Sequence, residues 1–290
     1  MTDQTTLPMT VTPLTSAQQK SLINLVRRAA RTEIMPRFRN LSSAQINTKS
    51  GPDDLVTEAD IAAEAMIARG ILRLFPNATV LGEEAASANP DLRDDAAKAE
   101  LAFIIDPIDG TWNFAKGLPA FGVILAATRF GRPVFGLLYD AVMDDWVVCD
   151  DQNPTSLARP SAAPRQLHSS AGGALSDLTG YLHFYLMSKE HQAEMGQALP
   201  DFGRTMMLRC SCHEYRLLAQ GHVDFCLSGM LNPWDHAAGV LACLQSGGTA
   251  KMLDGQDYDI SIKSGYLLCA ANEETWNRIA QRLAFLHPSE

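Results

Sequence analysis

The 290-residue chain lacks any apolar run near the roughly 18 residues that a membrane span requires. Its opening stretch, MTDQTTLPMTVTPLTS, is polar and has no apolar segment of the secretory type, which predicts a cytoplasmic protein. The six cysteines, Cys149, Cys210, Cys212, Cys226, Cys243 and Cys269, include no CxxC pair, so the spacing of a structural zinc site is missing. Cys210 and Cys212 stand two apart and read as small, partly buried thiols at the approach to a helix. Positive charge is in short supply: 24 Lys and Arg face 33 Asp and Glu, giving a net charge of -9, and the basic residues are scattered. That balance weighs against nucleic acid as a partner, although bound cations can invert a local field and admit an anionic ligand. There is no internal repeat, no low-complexity block and no DxDxDG calcium loop.

What remains is a chain with ample apolar content for a large core. Ser16 reads as a helix N-cap, with Gln19 closing a capping box. Leu22, Leu25, Val26, Ala29 and Ala30 then recur at helical spacing, until Pro36 ends or kinks the helix. After a polar loop containing Lys49, with Asp53 and Asp54 expected at the surface, a second helix starts near Thr57. Its apolar stripe is Ile61, Ala65, Ala68, Leu72 and Phe75. Strands are expected at 78–81, 101–105, 122–128, 134–139 and 146–149, with Gly131-Arg132-Pro133 as a turn. The Pro-, Ser- and Ala-rich stretch 151–165 suggests a boundary between lobes 1–150 and 151–290, packed as one catalytic unit. In the second half, strands are expected near 175–186 and 223–227 and helices near 212–220 and 235–245, the last stopped by Gly247-Gly248. The pattern is that of an α+β protein in stacked layers.

Acidic residues gather where a plain scaffold has no use for them: DLVTEAD (Asp54 to Asp60), LGEEA with Glu83 and Glu84, IIDPIDGT with Asp106 and Asp109, and WDHAAG with Asp235. Asp106 ends an apolar strand, where a charge is costly unless it is paired or metal-bound. Gly110 allows close backbone approach to a ligand, and Thr111 opens a helix whose free N–H groups suit a phosphate oxygen. Two carboxylates 5 Å apart repel by about 3 kcal/mol at an effective dielectric near 20, and a hard divalent cation turns that repulsion into binding. All-oxygen ligands select magnesium, calcium or manganese over zinc. Each residue also has a plainer role. Asp60 completes a capping box with Thr57, Glu83-Glu84 suit a solvated loop, and Asp235 suits a helix first turn. Asp106-Pro-Ile-Asp-Gly-Thr resists such an account, and the set points to metal-assisted hydrolysis.

DPIDGTWNF at 106–114, with LGEE before it, WDHAAG after it, and Lys49 and DLVTEAD in the same order, resembles the inositol monophosphatase family over about residues 16 to 285. The resemblance implies a layered αβαβα sandwich of the inositol monophosphatase and sugar phosphatase type, dependence on two or three Mg2+ ions, lithium sensitivity and a homodimer. Carried over by position, Glu83, Asp106 and the Ile108 carbonyl would hold one metal, and Asp106, Asp109 and Asp235 a second. Asp60 with Thr111, assisted by Glu84, would activate water. Gly110 and Thr111 would bind phosphate, Lys49 would close over the site, and Ser211 and Ser228 fall in the substrate pocket. One departure stands out: relatives acting on inositol phosphates carry a glutamate where this chain has Ser228. Where they read Gly-Ser/Thr-Ala, it has Arg209-Cys210-Ser211-Cys212, so Arg209 or His213 is a candidate reader of a different substrate. The expected activity is hydrolysis of a small phosphate monoester, an inositol phosphate or similar polyol or sugar phosphate. The alternatives are histidinol phosphate or a nucleotide-derived phosphate, or a regulatory member binding RNA or protein.

Overall fold

The computed structural model describes residues 13–51 and 54–286. Thr15, one residue before the expected cap, starts helix α1 (Ser16–Ala29). Its hydroxyl accepts the Gln18 N–H and its own N–H donates to Gln18 Oε1 at 2.8 Å. The expected partner, Gln19, is drawn away by a tertiary hydrogen bond to Asp150 Oδ2 at 2.7 Å. A single π turn, Ala30–Ile34, extends α1, with the Met35 N–H reaching back to the Ala30 carbonyl. The polar stretch that follows is a hairpin, β1 (Ile46–Gly51) with β2 (Asp54–Thr57), antiparallel. Lys49 lies in β1, but its side chain is outside the described residues, as are Asp53 and the side chain of Asp54.

The chain continues through α2 (Glu58–Leu74), β3 (Thr79–Gly82), α3 (Glu83–Ala88), α4 (Leu92–Lys98), β4 (Ala102–Asp109), α5 (Thr111–Ala115), β5 (Gly122–Arg129), β6 (Arg132–Asp140) and β7 (Asp145–Asp150). The 151–165 stretch is more than a linker. It carries β8 (Ser156–Ala158), paired with β7, and runs into β9 (Arg165–Gln166), so the first sheet extends through it. Beyond lie β10 (Thr179–Leu182), α6 (Lys189–Ala198), β11 (Arg204–Met206), α7 (Ser211–Ala219), β12 (Phe225–Ser228), α8 (Pro233–Gln245), β13 (Thr249–Met252), β14 (Leu267–Ala270) and α9 (Glu273–Arg282). The strand expected over 175–186 is confined to β10, with 3-10 turns on either side.

The seven-stranded sheet runs β3 to β9 in sequence order, and the five-stranded sheet runs β11-β10-β12-β14-β13. Alternation along β4 sets the layers. Phe103 and Ile105 face α1 and α2 through Leu22, Val26 and Ile67, whereas Ile104 faces α7 and α8 through Leu218, Ala238 and Leu241. Those two helices are sandwiched, because their other side meets Tyr181, Cys226 and Cys269 of the second sheet. The far side of that sheet, Phe225, Leu227 and Leu268, is covered by α6 and α9 through Met195, Trp276 and Ile279. The result is the expected αβαβα sandwich. All six cysteines are free and buried in it. Among the described residues, no helix is long and apolar enough to cross a membrane.

Candidate metal and phosphate site

β4 is buried along its whole length, and its ladder with β5 breaks between Asp106 (opposite Ile124) and Asp109 (opposite Gly122). This bulge re-aims the strand end so that both carboxylates turn to one place, where α8 brings Asp235 in its first turn. One ligand oxygen from each of Asp106, Asp109 and Asp235 lies within 4.8 Å of the others. Gly110 then turns the chain into α5 at φ 86°, a left-handed conformation. A Cβ there would meet the Ala120 carbonyl at 2.8 Å.

Thr111 is the pivot of the arrangement. Its hydroxyl lies 2.9 Å from the Ile108 carbonyl and 3.2 Å from Asp60 Oδ1. Asp60 is buried, and its other oxygen accepts the Thr57 N–H at 2.8 Å and the Thr57 hydroxyl at 2.6 Å. The capping box at the start of α2 and the contact with Thr111 are thus two halves of one carboxylate. Glu83 and Glu84 open α3, whose first turn is gripped by a residue that the sequence did not single out. Buried Glu64 of α2 accepts the Glu84 N–H at 2.8 Å and the Ala85 N–H at 2.9 Å. Only its i,i+4 placement on the inner face of α2 hinted at a fixed role.

Burial pushes the Asp106 and Asp235 carboxyls well up from the usual range, and the neighbouring acids push further: Glu83, Asp109 and Asp235 act on Asp106, and Asp109 and Glu83 on Asp235. Asp109 is raised to about 7, chiefly by burial, against the pull of donors from α7. These include the Cys212 N–H and the Cys210 thiol, the latter 3.2 Å from Asp109 Oδ2. Cys210 and Cys212 therefore support an acid. Asp106 Oδ1 is buried without a hydrogen-bond partner. A buried oxygen without a donor, inside a set of mutually repelling carboxylates, fits a hard divalent cation.

These residues open onto a cleft of about 720 Å³. Glu83, Asp106, Ile108, Asp109, Gly110, Thr111, Ser211, Ser228 and Asp235 all line it, as does Arg209. Glu84 does not line it, and Asp60 reaches it through Thr111. His213 is also absent from the lining. Burial lowers its pKa, and its Nε2 is bound to the Phe121 carbonyl at 3.0 Å, so it supports β5. Arg209 has φ 56°, and its guanidinium lies 4.4 Å from the Trp112 ring centre. The Asn113 amide ties this loop down by donating to the Leu208 carbonyl at 2.9 Å and to Ala120 at 2.8 Å.

Sequence reasoning missed His183. It follows β10, which lies parallel to β12 with Leu182 opposite Leu227, so His183 meets Ser228 at the strand ends. His183 Nε2 is 2.7 Å from Glu214 Oε2, and Nδ1 is 3.4 Å from Ser228 Oγ. Glu214 is 2% exposed, and its second oxygen accepts the Leu208 N–H at 2.8 Å. Burial alone would lower the His183 pKa, but the Glu214 carboxylate outweighs it, with Asp235 and Asp109 adding, and the net shift is upward. The Ser228 hydroxyl donates to the Met230 carbonyl at 3.1 Å, which His236 also holds. No local spacing in the sequence links residues 183, 214 and 228.

Carboxylates converging at the end of a buried strand, on an αβαβα sandwich, define the layout of a metal-dependent phosphatase family. A model of the inositol monophosphatase family matches residues 16–287, and the chain belongs to that family. It is 32% identical over 244 residues to the histidinol-phosphatase of Streptomyces coelicolor, covering 81% of this chain and 86% of that protein. It is 27% identical over 246 residues to the Nus factor SuhB of Escherichia coli K12, covering 81% and 86%. Inositol monophosphatase II from Staphylococcus aureus MSSA476 shares the fold, with a TM-score of 0.77 at 22% identity over 92% of each chain.

Proposed function

We propose that the protein hydrolyses a small phosphate monoester, an inositol phosphate or similar polyol or sugar phosphate, with Mg2+ as cofactor. The observation that carries this reading is the triad of Asp106, Asp109 and Asp235 within 4.8 Å, one oxygen of which has no hydrogen-bond donor. Glu83, Asp106 and the Ile108 carbonyl would hold one ion, and Asp106, Asp109 and Asp235 another, with Asp106 shared. The positive charge of the bound ions would offset the phosphate and the charge developing on the leaving oxygen.

The chain's own residues supply the proton path. Asp60 Oδ1 draws the Thr111 hydroxyl proton, leaving the Thr111 oxygen able to accept one from an attacking water. The Thr57 N–H and hydroxyl hold the other Asp60 oxygen, which fixes the carboxylate with Oδ1 toward Thr111. The Gly110 and Thr111 backbone and Ser211 would hold the phosphate, with Lys49 closing over it and Glu84 acting from behind through α3. The reading carries with it a cytoplasmic homodimer sensitive to lithium.

Ser228 favours a second reading, in which the leaving alcohol is histidinol or derives from a nucleotide. A histidinol-phosphatase is among the relatives. Relatives named Nus factor SuhB support a regulatory reading, through RNA or protein, that is compatible with catalysis. The test is phosphate release from inositol 1-phosphate, histidinol phosphate, sugar phosphates and adenosine 3',5'-bisphosphate, with Mg2+ or with EDTA. Thr111→Val serves as control. Mg2+-dependent release that falls by two orders of magnitude or more in the variant supports the mechanism. Release that is unaffected by EDTA and by the variant rejects it.

A further inference from the structure

Helix α3 carries Glu83 at its first position, yet it has no cap of its own. Its N-cap is Gly82, without a side chain to offer, and its first-turn N–H groups are met from another element. Glu64 of α2 supplies both acceptors. Its Oε2 takes the Glu84 N–H at 2.8 Å and its Oε1 takes the Ala85 N–H at 2.9 Å. The fold makes room for this grip. A Cβ on Gly82 would stand 2.2 Å from the Glu64 carboxyl carbon and 2.4 and 2.5 Å from its oxygens. Gly82 has φ -101°, a backbone that any residue adopts, so glycine stands there for space and not for conformation.

The ladder of β3 with β4 ends where this contact begins. Its last pair sets Gly82 opposite Ile105, so Glu83 leaves the sheet level with Asp106, and no further strand pairing fixes its course. Glu64 takes over at that point. It lies one turn beyond Asp60 on the inner face of α2, and both side chains are buried. Two acids at that spacing repel, and burial adds to the cost, so a helix selected for stability alone would carry neither. Each is offset by donors, Asp60 by Thr57 and Thr111, and Glu64 by α3. The same face of α2 is seated on β4, with Ala63, Ile67 and Ile71 packed among Phe103 and Ile105. One helix thus references both Thr111 and α3 to the strand that delivers Asp106.

We propose that Glu64 is a positioning residue for Mg2+: it does not line the cleft, but by gripping the first turn of α3 it aims the Glu83 carboxylate at the ion shared with Asp106. The inference rests on the reading of Glu83 as a metal ligand and names the residue that makes it one. Because the grip acts on the metal site and not on the leaving alcohol, it serves every phosphate monoester alike.

The test is calorimetric titration of Mg2+ into the full-length protein. Glu64→Gln keeps the size of the side chain but turns an NH2 group toward one of the two N–H groups, so the Mg2+ Kd should rise roughly tenfold. Gly82→Ala, which displaces the same carboxylate, should raise it in the same way. Glu83→Gln removes the ligand itself. In that background Glu64→Gln should change the Kd of the remaining ion by less than about twofold, because the two residues act through one contact. Hydrogen exchange in EDTA should show the Glu84 and Ala85 amides losing protection in Glu64→Gln. A residue that only supports the fold would lower the melting temperature and leave the Mg2+ Kd alone. That pattern, with the Kd still raised by Glu83→Gln, overturns the inference and leaves the metal site standing. Effects of Glu64→Gln and Glu83→Gln that add in the double variant also overturn it, since Glu64 would then act elsewhere. Mg2+ binding unchanged by Glu83→Gln removes Glu83 from the ligands, and the inference falls with that assignment. Where Glu64→Gln does not fold, Gly82→Ala and its coupling to Glu83→Gln decide the question.

Discussion

Replacing Asp106 with Asn should make the metal-free protein more stable and the magnesium-treated protein inactive. Asp106 shares its cluster with Asp109 and Asp235, all within 4.8 Å. At that separation each charged pair repels by about 3 kcal/mol at an effective dielectric near 20. The cluster relieves part of this by holding protons, since all three carboxyls are raised. A net gain of about 1–3 kcal/mol is therefore expected from the neutral amide, whose N–H also supplies a donor to an adjacent carboxylate. For a chain of this size that corresponds to a rise in Tm of about 2–6 °C in EDTA. The parent should gain a comparable amount from Mg2+ at about 100 times its Kd, because linkage then contributes about 2.7 kcal/mol. Asp106→Asn should gain little from the metal and should lose nearly all turnover. Thermal melts of both proteins in EDTA and over a Mg2+ series read every part of this. A lower Tm in EDTA together with an undiminished Mg2+ increment would refute the reasoning.

Raised carboxyl pKa values also fix a pH dependence. Between about pH 4 and pH 7 the folded, metal-free protein holds more protons than the unfolded chain, so its stability should fall as pH rises through that window. Mg2+ should flatten or reverse the slope, and a flat profile in EDTA would contradict the assigned burial. Gly110→Ala should cost about 1–3 kcal/mol, because φ is 86° and the new Cβ meets the Ala120 carbonyl; chemical denaturation measures it. Ser228→Glu sets a carboxylate in the cleft beside His183 and should move relative kcat/KM toward inositol 1-phosphate by about tenfold. An unchanged preference would place this position outside recognition.

Much of the metal cluster was legible because acids interrupt apolar patterns at marked places. Asp106 closes a run of buried β residues, and Asp235 follows a proline that starts a helix. The layers were legible for the same reason, since the alternation along β4 and the stripe on α1 announce which faces are covered. The stripe read on α2 was wrong: Ile61 and Leu72 are exposed, and the covered face is Ala59, Ala63, Ile67 and Ile71, one position away, because Asp60 and Glu64 turn inward to the site. The helix start at Thr15 was misplaced because two competent caps adjoin and a tertiary bond to Asp150 claimed Gln19. The Pro-rich 151–165 stretch hid β8, whose three residues pair with β7 without any alternation long enough to read. The His183–Glu214–Ser228 contact had no sequence signal at all. It is made by the parallel register of β10 and β12 and by the seat of α7, which exist only once the second sheet has formed. His213, near the motif in sequence, turned out to brace β5, while the more distant His183 faces the cleft.

The left-handed arginine beside Trp112 has a consequence for how this molecule would drift under selection. A side chain in that conformation costs about 1–2 kcal/mol relative to glycine, and here the cost falls on a cleft loop while the core is untouched. Selection for heat resistance alone would find glycine at position 209 an inexpensive improvement. Such survivors would melt later but would have lost a guanidinium from the cleft wall, so a gain in stability and a change in the cleft meet at one residue.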